Sequence, residues 1–302
     1  MSISSRVSLI VNAESGSLDM DEVLPLIYEA FPGSPPLTRF VSAAESAAEL
    51  AAQEVAEGVD LVIAVGGDGT VSQVAGALAH TPAALGVIPV GTANAFARAM
   101  GIPLDVADAA AVFRNGSRRM IDLGRCILGD GQAAPVLLLA AIGYEAKIVR
   151  NASRERKEVL GAFAYLYTGL ELLTGLQPFS VTLATGDRAF VTAASAITVA
   201  NAAPATSPLA QGLGAVIPND GLLEVTIFSP ASPTNAFARM VELFGAAALD
   251  LRIWRDDIIA FRTATLSLRT DPPQPLAIDG ELRESAAPEF GIEAACLQVA
   301  VP

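Results

Sequence analysis

The sequence predicts an α/β domain built on a parallel sheet, followed by a second, mainly antiparallel β domain. Apolar runs alternate with helical patterns over the first 120 residues, and two of those runs end in glycine turns that open into helices. Near Met120 the texture changes to short strand-like segments set between Gly, Pro and Asn.

In chain order the first part reads as a strand at Val7–Val11, helices at Asp21–Phe31 and Ser46–Glu57, a strand at Leu61–Val65, a helix at Val71–Ala79, a strand at Leu85–Val90 and a helix at Ala95–Met100. The second part offers strands at Val136–Ala141, Ser180–Leu183, Ala196–Ala200 and Leu222–Ile227. Between them, Lys147–Lys157 is rich in basic residues and Gly161–Leu173 carries Phe163, Tyr165, Leu166, Leu170 and Leu173. That stripe suits first an amphipathic helix packed on its own domain, since apolar stripes at this spacing are mostly core, and a helix that touches a bilayer surface would look similar.

The length of 302 residues suits two domains of ordinary size, and 52% hydrophobic residues supply their cores. A formal net charge of -13 repels phosphate backbones and argues against nucleic acid as a partner, although a local basic patch is still allowed. Cys126 and Cys296 stand far apart with no paired CxxC and no histidine cluster, so they are expected reduced and buried rather than bridged or on zinc. The sole histidine, His80, reads as a solvated helix end. The first residues do not form a secretory h-region, and the longest apolar run, around Ala134–Tyr144, is too short to span a membrane. Any membrane contact is therefore expected to be peripheral.

The strongest local signal is Leu61–Val65 followed by Gly66-Gly-Asp-Gly-Thr70 and a helix. Glycines let backbone approach a phosphate, and the N–H groups at the helix start face that anion. Asp68 is placed to position a metal or polar group, and Thr70 to cap the helix or bond an oxygen. A second unit, Leu85–Val90 running into Gly91-Thr-Ala-Asn94, brings Thr92 and Asn94 to the same sheet edge. Neither loop is a Walker A or a dinucleotide fingerprint. In the second half, Asp220 in Ile217–Leu222 and Asp279 in Ile278-Asp-Gly-Glu281 each precede a glycine. Asp-Gly is a favoured hairpin turn, and a carboxylate projected from a turn is also placed to accept a hydroxyl proton or hold a cation.

The ordered set Asn12–Gly16, Gly66–Thr70, Pro89–Asn94, Ile121-Asp-Leu-Gly124, Asn219–Glu224 and Ile278–Glu281 resembles the diacylglycerol kinase-like lipid kinases, a family that includes bacterial members and is related to the sphingosine kinases. The resemblance spans nearly the whole chain. It implies an α/β nucleotide-binding catalytic domain over 1–127 with a returning segment at about 292–302, a β-rich lipid-substrate domain over 128–291, and an ATP cleft between them. Carried over by position, Asn12, Val41, Gly66, Gly67, Asp68, Gly69, Thr70, Gly91, Thr92 and Asn94 fall on the nucleotide side. Asp279 resembles the catalytic proton acceptor, Asp122 and Glu281 resemble supporting polar residues, and Asp220 resembles a magnesium site together with the carbonyls of Ile217 and Leu222. The implied cofactors are ATP and Mg²⁺, and the implied setting is phospholipid metabolism by a cytoplasmic enzyme.

Ala95 stands where many bacterial diacylglycerol kinases have Asp, while the sphingosine kinase branch also carries small residues there. Val41 replaces a Thr of some bacterial members, and Ala-Ala-Pro-Ala-Thr-Ser-Pro follows Asn201 in place of a glycine-rich stretch. The acceptor therefore stays open among diacylglycerol, phosphatidylglycerol and sphingoid types. The expected partner is a lipid substrate at the membrane surface, reached by transient peripheral association, and a homodimer stays open. Two other readings remain: a soluble-substrate kinase of the NAD kinase type, which shares the first glycine loop, and a non-catalytic nucleotide or lipid sensor.

Overall fold

A computed structural model describes residues 6–147 except 17 and 145, 177–204 except 187, 216–230, 256–302 and a few single positions between them. The basic and aromatic helix expected over Lys147–Lys157 and Gly161–Leu173 lies outside the described residues, Lys147 apart. The chain divides into one unit of Met1–Leu123 with Ala295–Pro302 and a second of Gly124–Ala294.

The first unit runs β1 (Val7–Val11), α1 (Met20–Tyr28), β2 (Leu37–Phe40), α2 (Ala47–Ala56), β3 (Leu61–Gly66), α3 (Asp68–Leu78), β4 (Ala84–Pro89), α4 (Ala95–Ala99) and α5 (Val106–Asn115). Next, β5 (Ser117–Ile127) leads into β6 (Ala133–Val136), β7 (Leu139–Gly143), β8 (Phe179–Ala184), β9 (Ala189–Ala194), β10 (Ala196–Ala200) and β11 (Leu223–Phe228). The chain then makes β12 (Ile258–Thr263), β13 (Thr265–Asp271), β14 (Leu276–Ile278), β15 (Glu281–Arg283) and β16 (Glu289–Val301).

In the first unit the strands line up as β2, β1, β3, β4 and the end of β16, each pair parallel. Both β3 and β4 are buried at every residue, which is why they read as unbroken apolar runs and not as alternating ones. Ile63, Leu85 and Ile88 are fully enclosed, each stabilising the fold by about 1.5–3 kcal/mol. Helix α2 opens on a capping box, in which the Ser46 hydroxyl accepts from the Glu49 N–H at 3.3 Å and the Glu49 carboxylate accepts from the Ser46 N–H at 2.8 Å.

Between Val7 and Asn115 two elements escaped the sequence reading. The four residues of β2 follow Pro35-Pro36 and are too few to show a period. Helix α5 buries Val106, Ala109, Ala110 and Val112, a stripe half of alanine that contrasts little with its surroundings. Helix α3 also starts at Asp68, three residues before the expected Val71, so Asp68, Gly69 and Thr70 form its first turn and Gly67 is the N-cap.

The second unit is an antiparallel sandwich. One sheet has the order β12, β11, β10, β7, β14, β15. The facing strands include β13 paired with β8 and with the start of β16, β8 paired with β9, and β5 paired with β6. Alternation along β8 and β13 turns Val181, Leu183, Leu266 and Leu268 inward onto Val199, Val225 and Ile227.

The single strand expected at Val136–Ala141 is two strands: β6 ends at Val136 and β7 begins at Leu139. The backbone N–H groups of Leu137, Leu138 and Leu139 donate to the Asp279 carboxylate instead of continuing a ladder.

Both cysteines are buried, and neither is in a disulfide. Burial in the sandwich pushes the Cys126 thiol up to about 12. Native protein at pH 8 is therefore expected to leave Cys126 unmodified by iodoacetamide for hours while denatured protein reacts, as peptide mass spectrometry will report.

Candidate functional site

At the ends of β1, β3 and β4 three loops of the first unit are stitched to one another. The Asn12 amide donates to the Thr70 hydroxyl at 3.1 Å, and its Oδ1 accepts from the Glu14 N–H at 3.1 Å. The Asp68 Oδ1 accepts from the Phe96 N–H at 3.0 Å, so the carboxylate at the start of α3 anchors the helix that follows the next loop. Asn94, in the left-handed region at φ 48, closes its own loop: its Oδ1 accepts from the Gly91 N–H at 3.0 Å and its amide donates to the Gly91 carbonyl at 2.9 Å.

Glycine is demanded here by close backbone approach. A Cβ on Gly91 would lie 2.4 Å from the Gly67 Cα, and one on Gly16 would lie 1.9 Å from the Val90 carbonyl oxygen. Gly16 was not among the candidate residues, although it closes the Asn12–Gly16 motif; its signal was the glycine itself, and a φ of 78 together with the Val90 contact explains it.

Helix α3 has 11 residues, and its N-cap Gly67 supplies no side-chain hydrogen bond. Its first N–H groups therefore carry the partial positive charge of a helix start, the arrangement that takes an anion. Thr70 is buried and already bonded to Asn12, whereas Thr92 is exposed. Val41 donates its N–H to the Val11 carbonyl at 2.8 Å and so extends the β1–β2 pairing. Asp122 is buried, and its Oδ1 accepts from the N–H of Ala295 at 2.7 Å, where β16 bends at φ 48.

In the second unit, Asp279 and Gly280 form the two-residue turn between β14 and β15, with φ of 47 and 84. Positive φ at both positions is the type I′ hairpin geometry. The turn expected of this Asp-Gly pair and the carboxylate's separate role coexist: Oδ2 accepts from Leu137 at 2.9 Å, and Oδ1 accepts from Leu138 at 2.9 Å and Leu139 at 3.0 Å. Three N–H donors stabilise negative charge on the group and fix its orientation. No sequence signal marked Leu137–Leu139 as donors, because backbone groups carry no residue code. Glu281 is exposed on β15 and pairs with Arg283 at 2.7 Å.

Asp220 lies in a turn before β11. Its Oδ1 accepts from the Leu222 N–H at 3.0 Å, and its Oδ2 lies 3.4 Å from Arg262, which also donates at 2.7 Å to the buried Glu224. The carboxylate and the carbonyls of Ile217 and Leu222 are hard oxygen donors of the kind Mg²⁺ takes. Arg262, which no sequence signal singled out, offsets part of that carboxylate's charge.

Residues 6–126 match the diacylglycerol kinase catalytic domain, and residues 139–301 match the YegS C-terminal NAD kinase beta sandwich-like domain. The chain belongs to the diacylglycerol kinase-like lipid kinase family. It is 34% identical to a protein named probable lipid kinase YegS-like from Pseudomonas putida, over 86% of this chain and 83% of that one. Its identity to the diacylglycerol kinase of Bacillus subtilis is 30%, over 94% of this chain and 92% of the relative. An uncharacterized protein of Synechocystis is 38% identical over 76% of this chain, which spans 52% of that relative's length. A crystal structure of a diacylglycerol kinase from Bacillus anthracis superposes with a TM-score of 0.71 at 19% identity, covering 99% and 97% of the two chains, and shows the shared fold. As a lipid kinase-like chain it has, among the described residues, no helix long and apolar enough to cross a membrane.

Proposed function

We propose that this chain transfers the γ-phosphate of ATP to the hydroxyl of a membrane lipid. The observation that carries the nucleotide half is the α3 N-terminus without a side-chain cap, framed by the Gly66–Thr70 and Gly91–Asn94 loops whose backbones meet without room for a Cβ. Family membership supports the lipid half.

Phosphoryl transfer passes through a loose transition state, so catalysis is mainly positioning and charge neutralisation. Backbone N–H groups at the start of α3 hold phosphate oxygens, and the Asn12–Thr70 and Asp68–Phe96 bonds keep them in register. Asp279 orients the lipid hydroxyl and receives its proton as the new P–O bond forms and the bond from the γ-phosphorus to the bridging oxygen breaks, releasing ADP. A carboxylate already stabilised by three N–H donors suits a late transfer, when the attacking oxygen has become acidic. Asp220 and the carbonyls of Ile217 and Leu222 would hold Mg²⁺, which when bound would offset phosphate charge or brace the turn. The acceptor class is diacylglycerol, phosphatidylglycerol or sphingoid, met by peripheral contact with the membrane.

The test is transfer of labelled γ-phosphate from ATP with Mg²⁺ to vesicles carrying each of these lipids, with NAD as a soluble comparison. Label in an organic-extractable product is expected; label in NAD alone, or in nothing despite ATP binding, would overturn the reading. Asp68 separates tying from metal binding. Asp68→Asn keeps an oxygen for the Phe96 N–H and is expected to hold the ATP KM within about twofold, whereas Asp68→Ala raises it about tenfold. Equal damage from both, in initial rates against ATP concentration, would assign Asp68 to a cation.

A further inference from the structure

The parallel sheet of the first unit has a second edge. Where β1 begins at Val7, β2 at Leu37 and β3 at Leu61, opposite the glycine loops, a cavity of about 540 Å³ opens. A volume of this size suits one small molecule.

Three arginines are among the residues that line it, Arg6, Arg114 and Arg118. They gather in a chain whose formal net charge is -13 and whose Lys and Arg number only 19. Arg118 donates to two neutral acceptors, Gln298 Oε1 and the Asp60 carbonyl, both at 3.4 Å, and has no carboxylate partner among the described residues. Arg6 donates to the Glu57 carbonyl and stands 4.0 Å from that residue's exposed carboxylate, a pairing worth little in water. Arg114, at the last turn of α5, has no hydrogen-bond or ion-pair partner among the described residues.

The apolar part of the lining, mostly aliphatic and proline side chains, includes two aromatic rings. Phe31 and Phe113 stack at 6.1 Å with planes 21° apart, and Phe113 is seated against Gly86 of β4, where a Cβ would come within 2.8 Å of its ring. Glu54 completes the wall. It is fully buried, its Oε1 pairs with Arg39 at 3.2 Å, and its Oε2 lacks a hydrogen-bond partner among the described residues. Arg39, which also stands 3.9 Å from the Glu45 carboxylate, offsets the Glu54 charge in part. An enclosed carboxylate oxygen without a donor carries a desolvation penalty that an N–H or O–H would relieve.

We propose that this cavity binds a nucleoside monophosphate. The phosphate meets Arg6, Arg114 and Arg118, guanidinium groups being suited to phosphate by their forked donors. The base lies against the Phe31–Phe113 pair. A hydroxyl or N–H of the ligand supplies the Glu54 oxygen once that side chain turns slightly toward it. The site is separate from the glycine loops and does not depend on the transfer reaction proposed above.

Calorimetric titration of the full chain with AMP, ribose 5-phosphate and inorganic phosphate tests it, repeated on Arg114→Glu. Arg114 is exposed and unpartnered, so the variant is expected to melt with the wild type and to keep its ATP-dependent turnover. AMP is expected to bind the wild type at least about tenfold tighter than ribose 5-phosphate or phosphate. Arg114→Glu is expected to weaken AMP at least about tenfold. Absence of AMP binding, AMP binding untouched by Arg114→Glu, or ribose 5-phosphate binding as tightly as AMP would each overturn the assignment.

Discussion

Asp279→Ala is expected to abolish most lipid phosphorylation, by about 10²- to 10⁴-fold, the range typical of a lost proton acceptor. It is expected to cost stability as well. The N–H groups of Leu137, Leu138 and Leu139 all bond this one carboxylate, and truncation leaves them without it at a half-buried position. Unsatisfied donors cost about 1–3 kcal/mol each when buried, so a loss of about 2 kcal/mol or more is expected in denaturant melts. Asp279→Asn is not a neutral control. With its oxygen toward Leu138 and Leu139, its NH₂ group faces the Leu137 N–H, donor against donor, so one of the three bonds is lost while the left-handed turn is kept. Its stability is expected between wild type and Ala, with turnover still low because an amide does not accept the hydroxyl proton. An Asp279→Ala protein that melts lower yet turns over normally would leave the carboxylate a structural pin and remove it from the chemistry.

Gly91→Ala is expected to cut turnover about 100-fold by spoiling the nucleotide site, since displacement of a positioning element by about 1 Å has effects of that size. The added methyl would sit 2.4 Å from the Gly67 Cα and 3.0 Å from the Asn94 oxygen that closes the loop. The two glycine loops must therefore separate, with overpacking that costs about 1–3 kcal/mol. Gly291→Ala is the matched control, because its Cβ would meet nothing within 4 Å. ATP titration calorimetry with melting curves for both variants checks this; unaltered ATP affinity in Gly91→Ala would exclude these loops from nucleotide binding.

The two glycine loops were legible because their signals are local. Continuous apolar runs at Leu61–Val65 and Leu85–Val90, each followed by glycine and then a helix, report burial on both faces and close backbone approach within a few residues. Asp68 was legible as a residue to watch but not in what it does, since its bond to Phe96 joins positions 28 apart that share no pattern. Asp220 shows the same gap: the turn was read, and its facing Arg262 was not.

The sequence alone determined the order of strands and helices from β1 to α4, with β2 missing, and the glycines of the two loops at Gly66–Thr70 and Gly91–Asn94. It determined the family through six short motifs, because each keeps a backbone geometry that few residue types satisfy. Tertiary structure decided the break between β6 and β7, the loop-tying bonds of Asn12 and Asp68, and the cavity of Arg6, Arg114, Arg118, Phe31 and Phe113. Each of these depends on pairing between distant segments, and the free energy of such a contact resides in two places at once, so neither segment carries its mark alone.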